Sequence, residues 1–253
     1  MSGDPRRIDW SRIFGRVASE YELGRPSWPP AALDLVEREL QLSSEARVLD
    51  LGAGTGKLTR MLVERFGSVA AVEPDPAMRA LLPAAAEALP GTAEGIPVAD
   101  DSFSAVFCGE SFHWFDWGLA IPEIARVLVP GGGLVVMWNR PSGGLSSAEW
   151  PPEVGEALDR LVDPIPFEHR YLSFAWRDAL TDSLFGELCS ETFANGEVLD
   201  LERLLARIAS WSHVASLPAD ERQALLQEIA THLTEPTYPA SLETHVYWTR
   251  LLR

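Results

Sequence analysis

Short apolar runs alternate with amphipathic segments along the first 139 residues. The runs have the length and residue types of buried strands, and the segments between them carry apolar residues at helical spacing. The third run is the weakest, because alanine has a low β propensity. The predicted strands are Val48–Leu51, Ser68–Val72, Ala84–Leu89, Ala105–Cys108 and Leu134–Trp138, and the predicted helices are Ala31–Leu40, Lys57–Phe66, Ala77–Leu82 and Trp117–Leu128. This alternation predicts a doubly wound α/β fold with a parallel sheet covered by helices on both faces.

The pattern changes after Asn139. The later segments are predicted as a loop at Arg140–Leu145, helices at Glu153–Leu161, Arg177–Leu184, Leu201–Trp211 and Glu221–Leu233, and strands at Leu188–Phe193 and Thr244–Leu251. Before the first strand, Arg7–Ser19 predicts a short amphipathic helix and Tyr21–Pro30 a proline-stiffened loop. We therefore predict N-terminal helices and an α/β core over 1–140, and a helical cap inserted after strand five over 141–183. Residues 184–253 would then add strands and helices that complete a mostly parallel, seven-stranded sheet.

Three glycines follow the first strand and precede a helix, at positions 52, 54 and 56. They allow a sharp turn and a close approach of the backbone to a ligand, at the sheet edge where open α/β folds bind nucleotides. A dinucleotide loop would need a glycine at Lys57, and a phosphate loop would need one at Leu51. The carboxylate of Asp50 would repel a pyrophosphate but suits an ammonium group. The remaining pattern, Asp-x-Gly-x-Gly-x-Gly, resembles motif I of the class I S-adenosylmethionine-dependent methyltransferases.

The resemblance continues with Glu73 after strand two, Thr92–Pro97 after strand three and Ile124–Gly132 before strand five, and it spans about half of the chain. Thr92 stands where the family usually has Asp, which puts one adenine contact in question. The resemblance implies S-adenosylmethionine as the cofactor. It assigns the methionine carboxylate to Arg25, the ribose to Glu73 and the adenine edge to Ala93 and Glu94. The other cofactor-binding residues that it implies are Asp50, Gly52, Ala53, Gly54 and Gly56 of the loop, and Pro74, Gly109 and Glu110.

The segment Gly109–Phe115 follows strand four, where this family places its reacting centre. Its His-Trp-Phe sequence, together with Gly-Arg-Pro-x-Trp-Pro near the N-terminus, is similar to the subfamily of trans-aconitate methyltransferases. His113 is the candidate catalytic residue: it could accept a proton from the substrate, orient it, or serve only in packing. The candidate substrate-binding residues are Tyr21, Trp28, His113, Trp114 and Trp138.

Composition narrows the classes of partner. The net charge of −16 argues against nucleic acid and against an anionic membrane surface. No apolar run has the length of a membrane-spanning helix. Cys108 and Cys189 have neither disulfide nor metal-site spacing, so we expect a cytoplasmic protein without a metal site. Nine tryptophans suggest that some line an apolar pocket.

The sequence therefore predicts methyl transfer to an oxygen or nitrogen of a small molecule, with a carboxylate or an aromatic or apolar metabolite as candidates. Two alternatives stay open: methylation of a protein or RNA, and a methyltransferase fold that binds the cofactor as a regulator or scaffold. Lys57 disfavours a nicotinamide oxidoreductase, and the oligomeric state is left open.

Overall fold

The computed structural model describes residues 14–142, 150–160, 175–181 and 184–253. Seven strands form one sheet in the order β3-β2-β1-β4-β5-β9-β6, and β7 and β8 form a separate antiparallel pair. The first five strands are mutually parallel, whereas β9 is antiparallel to both β5 and β6. The strands are β1 (Arg47–Leu51), β2 (Ser68–Val72), β3 (Glu87–Leu89), β4 (Phe103–Gly109), β5 (Leu128–Pro141), β6 (Cys189–Ala194), β7 (Glu197–Leu199), β8 (Tyr238–Ala240) and β9 (Leu242–Arg250).

The helices of the described residues flank this sheet and extend beyond its carboxyl edge. They are α1 (Ala18–Gly24), α2 (Pro30–Leu40), α3 (Lys57–Val63), α4 (Pro76–Arg79), α5 (Trp117–Val127), α6 (Pro152–Asp159), α7 (Ala175–Thr181), α8 (Leu201–Ala209), α9 (Ser212–Ala215) and α10 (Ala219–His232), with a 3-10 turn at Phe112–Trp114. None of these helices is long and apolar enough to cross a membrane.

The predicted doubly wound, mostly parallel seven-stranded sheet is confirmed. The alanine-rich third strand exists, although only Glu87–Leu89 pairs with β2. Strand β5 is longer than predicted at both ends. Leu128 already pairs with β4, and the pairing resumes at Gly133 after a register shift. At the other end Arg140 and Pro141, which we predicted to be in a loop, pair with β9. The predicted loop at Tyr21–Pro30 is wrong over its first four residues, which belong to α1. Most of the predicted helix at Arg7–Ser19 and part of the loop at Arg140–Leu145 lie outside the described residues.

Side chains alternate between the two faces of the sheet along each strand, so the sheet separates two hydrophobic clusters. In β1, Val48 packs into a cluster with α2 and α3, while Leu49 and Leu51 face a cluster with α5 and α7. Trp176 and Leu180 of α7 belong to that second cluster, so α7 packs on the sheet.

A third hydrophobic cluster lies apart from the sheet, and we call it the cap cluster. It contains Val154 and Ala157 of α6, Leu204 and Ile208 of α8, and Ile229 of α10, together with Leu158, Leu199, Val214, Leu225, Leu233, Tyr238 and Ala240. This grouping differs from the predicted division at residue 183, because the long connection between β6 and β9 supplies helices that pack with α6. Residues 161–174, within the predicted cap, lie outside the described residues.

Candidate active site

The glycine loop joins β1 to α3 at the carboxyl edge of the sheet. Gly52, Gly54 and Gly56 have φ angles of 71°, 58° and 87°, a left-handed region that favours glycine. The backbone N–H groups of Gly52 and Ala53 donate to the carbonyl oxygen of Val72, at 2.9 and 3.1 Å. The loop is therefore held against the end of β2 while its other side stays half-exposed.

Asp50 lies beneath this loop rather than on its open side. Its side chain is 1% exposed, and Oδ2 accepts a 2.6 Å hydrogen bond from the Thr59 hydroxyl of α3. Burial raises the pKa of Asp50 to about 7, the Thr59 bond opposes this rise, and the negative charge of Glu73 adds to it. The structure thus places Asp50 as a link between β1 and α3, and not at the surface where we expected an ammonium contact.

Glu73 directly follows β2 and reaches the glycine loop. Its Oε2 accepts a 2.8 Å hydrogen bond from the N–H of Gly54, and its Oε1 accepts one of 2.9 Å from the N–H of Asp75. Burial raises the pKa of Glu73 and the two backbone bonds partly offset this. Each carboxylate oxygen has a second lone pair, so Glu73 can still accept hydroxyl donors. The following Pro74 is half-buried, and Arg79 fixes this turn by donating to its carbonyl oxygen at 3.1 Å.

The predicted adenine segment lies beside this turn, at the end of β3. Ala93 is 3% exposed and packs into the sheet cluster with α5. The Oε1 of Glu94 accepts a 2.8 Å hydrogen bond from the N–H of Asp116, the residue that caps α5. Glu94 therefore orients the start of α5 in this structure, and its predicted adenine contact stays a prediction.

Helix α1 crosses the open side of the glycine loop. A Cβ placed on Gly54 would lie 3.9 Å from both Cε1 of Tyr21 and Sδ of Met78, so these two side chains bound the space above the loop. Phe14 makes edge contacts with Tyr21 and Trp114, at centroid distances of 5.9 and 5.7 Å. Burial raises the pKa of Tyr21 to about 12, so its hydroxyl stays protonated near neutral pH.

Arg25 follows α1 and joins it to the cap. Its Nε and Nη2 donate to the hydroxyl and carbonyl oxygens of Ser210, at 3.0 and 2.8 Å, and its guanidinium lies 5.2 Å from the Tyr21 ring centroid. Burial raises the pKa of Glu110 and lowers that of His113, and the Arg25 charge opposes the first shift and adds to the second. Arg25 thus lies between α1, the end of α8 and the end of β4, and its predicted contact with a methionine carboxylate stays a prediction.

The end of β4 has a strained residue and a tightly packed glycine. A Cβ on Gly109 would lie 2.8 Å from Cζ2 of Trp28. Trp28 is 6% exposed and belongs to the cluster with α2 and α3, so it is a core residue and not the substrate contact that we predicted. Glu110 takes a φ of 54°, rare for a non-glycine residue, and its Oε1 accepts a 2.6 Å hydrogen bond from the N–H of Asn139. Such strain is common at functional sites.

His113 lies in the 3-10 turn beyond β4 and is 9% exposed. The indole Nε1 of Trp138 donates a 3.1 Å hydrogen bond to its Nδ1, and the Trp114 ring lies 4.7 Å away between centroids. Burial, together with the smaller effects of the Arg25 and Arg140 charges, lowers the pKa of His113 to about 3. The imidazole is therefore neutral at physiological pH and a weak proton acceptor.

The prediction that Trp138 contacts the substrate is also wrong. The side chain has no exposed surface and packs against Trp176 and Tyr247 at centroid distances of 4.8 and 5.7 Å. Its contact with the candidate site is the hydrogen bond to His113.

The structure brings most of the predicted site residues to one edge of the sheet. Those that are partly exposed at this edge are Tyr21, Arg25, Gly52, Ala53, Gly54, Glu110 and Trp114, whereas Trp28, Asp50, Glu73, Ala93, His113 and Trp138 are buried. Sequence reasoning missed Met78, Asn139 and Ser210. The position of Met78, in the short helix after the acidic residue Glu73, could have predicted its place at the site. Ser210 reaches the site only because the cap packs there, which the sequence does not signal.

Two other features bear on the boundaries of the site. A cavity of about 350 Å³ lies at the opposite, amino edge of the sheet, lined by Gln41, Gly131 and Arg250 among others, so it is separate from the glycine loop. In the part of the chain that the structure describes, no group of three or more His, Cys, Asp or Glu side chains is placed to hold a metal ion.

Comparison with known proteins agrees with this fold. Residues 49–136 match the family described as "Methyltransferase domain". The chain is 41% identical to an uncharacterised methyltransferase of Mycobacterium tuberculosis, over 92% of this chain and 90% of the relative. It is 30% identical to the malonyl-[acyl-carrier protein] O-methyltransferase of Halorhodospira halophila, over 95% and 88% of the two chains.

A solved structure shows the same fold at low identity. The phosphoethanolamine N-methyltransferase 2 of Haemonchus contortus, in complex with S-adenosylhomocysteine, superposes with a TM-score of 0.59 at 16% identity, over 99% of this chain and 62% of that chain. The chain belongs to the class I S-adenosylmethionine-dependent methyltransferases, and it is a methyltransferase enzyme. The trans-aconitate subfamily is not established by these comparisons.

Proposed function

We propose that the protein transfers a methyl group from S-adenosylmethionine to an oxygen of a small carboxylate-bearing molecule. The observation that supports the cofactor part is the hydrogen bond from the N–H of Gly54 to Glu73, which joins the carboxylate that we assign to the ribose to a left-handed glycine loop. The residues fit the cofactor: the glycines let its methionine part approach the backbone, and Glu73 retains lone pairs for two hydroxyls. Pro74, Ala93 and Glu94 would border the adenosine, and Gly109 and Glu110 the methionine side.

The chemistry asks for orientation more than for a strong base. The bound cofactor supplies an electrophilic methyl group on a sulfonium. The protein holds the acceptor in line with that methyl group and keeps water out. Tyr21, Phe14 and Trp114 form an aromatic cover above the loop that serves the second purpose. Arg25 would bind the methionine carboxylate with the donors that Ser210 does not take.

The state of His113 favours an acceptor that is already ionised. With a pKa of about 3 and its Nδ1 bonded to Trp138, His113 is unsuited to remove a proton from an alcohol or phenol. A carboxylate needs no base at neutral pH, because its own pKa is far below 7. Arg25 and Arg140, whose charges act on His113, would attract an anionic acceptor in a chain of net charge −16. The O-methyltransferase name of the Halorhodospira relative is in line with an oxygen acceptor.

Methyl-transfer assays with acceptors of different chemistry test the proposal. We expect turnover with small carboxylates and little or none with phenols, amines, proteins or RNA. The matched control is Gly54→Val, which should lose cofactor binding because its side chain would fill the space above the loop. Cofactor binding without transfer to any acceptor would favour the regulatory or scaffold alternative. Transfer only to a protein or RNA would contradict the small-molecule assignment.

A further inference from the structure

We infer that Trp138 is a positioning residue that fixes the proton of His113 on Nε2, so that His113 meets the acceptor as a hydrogen-bond donor. The inference rests on the proposed function, and it assigns a specificity role to a tryptophan that has no exposed surface. It also gives a reason for an acceptor oxygen that carries no proton of its own.

The hydrogen-bond geometry determines the tautomer. An indole Nε1 can only donate, because its lone pair belongs to the aromatic system. Trp138 Nε1 lies 3.1 Å from Nδ1 of His113, so Nδ1 must present a lone pair to it. A neutral imidazole carries one proton, and that proton is then on Nε2.

The surrounding packing keeps the indole in this position. Trp138 lies in β5, opposite His245 of β9 in the antiparallel ladder. Its ring packs against Trp176 and Tyr247, which also contact each other at a centroid distance of 4.9 Å, and the Tyr247 hydroxyl accepts a 2.8 Å hydrogen bond from Arg177. A side chain with no exposed surface in a close-packed aromatic group has little freedom to turn its N–H away from His113.

Burial and neighbouring charges, rather than the hydrogen bond from Trp138, disfavour the charged form of the imidazole. His113 is 9% exposed, and the nearby positive charges of Arg25 and Arg140 oppose a third one. Burial and these charges remove the imidazolium, while Trp138 removes the tautomer with its proton on Nδ1. The remaining form presents an N–H, which suits the lone pair of a carboxylate and meets a donor–donor conflict with an ammonium group.

Long-range 15N–1H NMR of the His113 ring tests the tautomer directly, without any acceptor. We expect the wild-type protein to show the Nε2-protonated form alone from pH 5.5 to 8. In Trp138→Phe, which keeps an aromatic ring but has no N–H, we expect a mixture of tautomers and a higher His113 pKa. The matched control is Trp176→Phe, which removes the same bulk from the same aromatic group and should retain the wild-type tautomer.

Acceptor kinetics supply the second measurement. Loss of one neutral hydrogen bond predicts that kcat/KM of Trp138→Phe falls about tenfold, mainly through a higher KM for the acceptor, while the Kd of S-adenosylhomocysteine stays within about twofold. A wild-type spectrum with the proton on Nδ1 overturns the inference, even if Trp138→Phe does not fold. An unchanged tautomer in Trp138→Phe also overturns it. Absence of cofactor binding in the wild type would instead refute the proposed function. The NMR measurement of the His113 tautomer does not depend on cofactor binding and would still test the inference.

Discussion

Glu73 offers the sharpest test of the cofactor assignment, because its two oxygens already have defined roles. It accepts one backbone N–H from Gly54 and one from Asp75, and it is 7% exposed. In Glu73→Gln the shape is kept, but the charge and one acceptor oxygen are lost. Hydrogen bonds to a charged group contribute about 1.5–3 kcal/mol, so the Kd of S-adenosylhomocysteine should rise by about 10- to 150-fold.

The effect of the same change on stability should be smaller. Burial raises the pKa of Glu73, so ionising it costs free energy in the folded state, and removing the charge offsets part of the lost backbone hydrogen bonds. Glu73→Ala has no such compensation. It leaves the N–H groups of Gly54 and Asp75 without their acceptors, at about 1–3 kcal/mol each, and should lower Tm as well as affinity.

Isothermal titration calorimetry and thermal unfolding on the same samples separate the two effects. The matched control is Asp75→Asn, since asparagine can also cap α4 through the N–H groups of Ala77 and Met78. This variant should bind S-adenosylhomocysteine as the parent does. If Glu73→Gln binds with parental affinity, the assignment of the ribose to Glu73 is wrong.

Three further predictions follow from particular residues. Because burial raises the pKa of Asp50 to about 7, the ionised carboxylate destabilises the fold, and the free energy of unfolding should fall from pH 4 to pH 7. Urea titrations of Asp50→Asn should show this fall reduced by up to ~4 kcal/mol. If the free energy of unfolding of Asp50→Asn depends on pH as in the parent, Asp50 is not the source of the fall. With the His113 pKa at about 3, kcat/KM for a carboxylate should show no histidine titration between pH 5.5 and 8, and an inflection near 6.5 that disappears in His113→Asn would contradict this. A Cβ on Gly24 would lie 2.1 Å from the backbone nitrogen of Arg207, so Gly24→Ala should lower both Tm and cofactor affinity, whereas Gly155→Ala in α6, with no atom within 4 Å, should leave affinity unchanged.

Local sequence patterns predicted the parts of the fold that depend on neighbouring residues. The apolar run of β1, the three glycines and the apolar spacing of α3 lie within one segment, and the structure has all three in place. The third strand was predicted from its place in the alternation despite its alanines, and β-pairing with β2 is enough to form it.

The errors come from residues whose surroundings are distant in sequence. Helix α1 was missed because it packs on α8, about 185 positions further along the chain, and Arg25 bonds to Ser210 there. The tryptophans at 28 and 138 were predicted to contact substrate, since composition alone does not distinguish a pocket wall from a core. The bond between Trp138 and His113 spans 25 positions and two strands, and no local pattern signals it.

A crystal structure of the protein with S-adenosylhomocysteine tests the central claim most directly. We predict that the ligand lies at the carboxyl edge of the sheet, with its ribose hydroxyls within hydrogen-bond distance of the Glu73 carboxylate. Its methionine part should cross the backbone of Gly52–Gly54, and its sulfur should face the side of the site that holds His113. A ligand bound at another edge, or with Glu73 directed away from the ribose, would contradict the account.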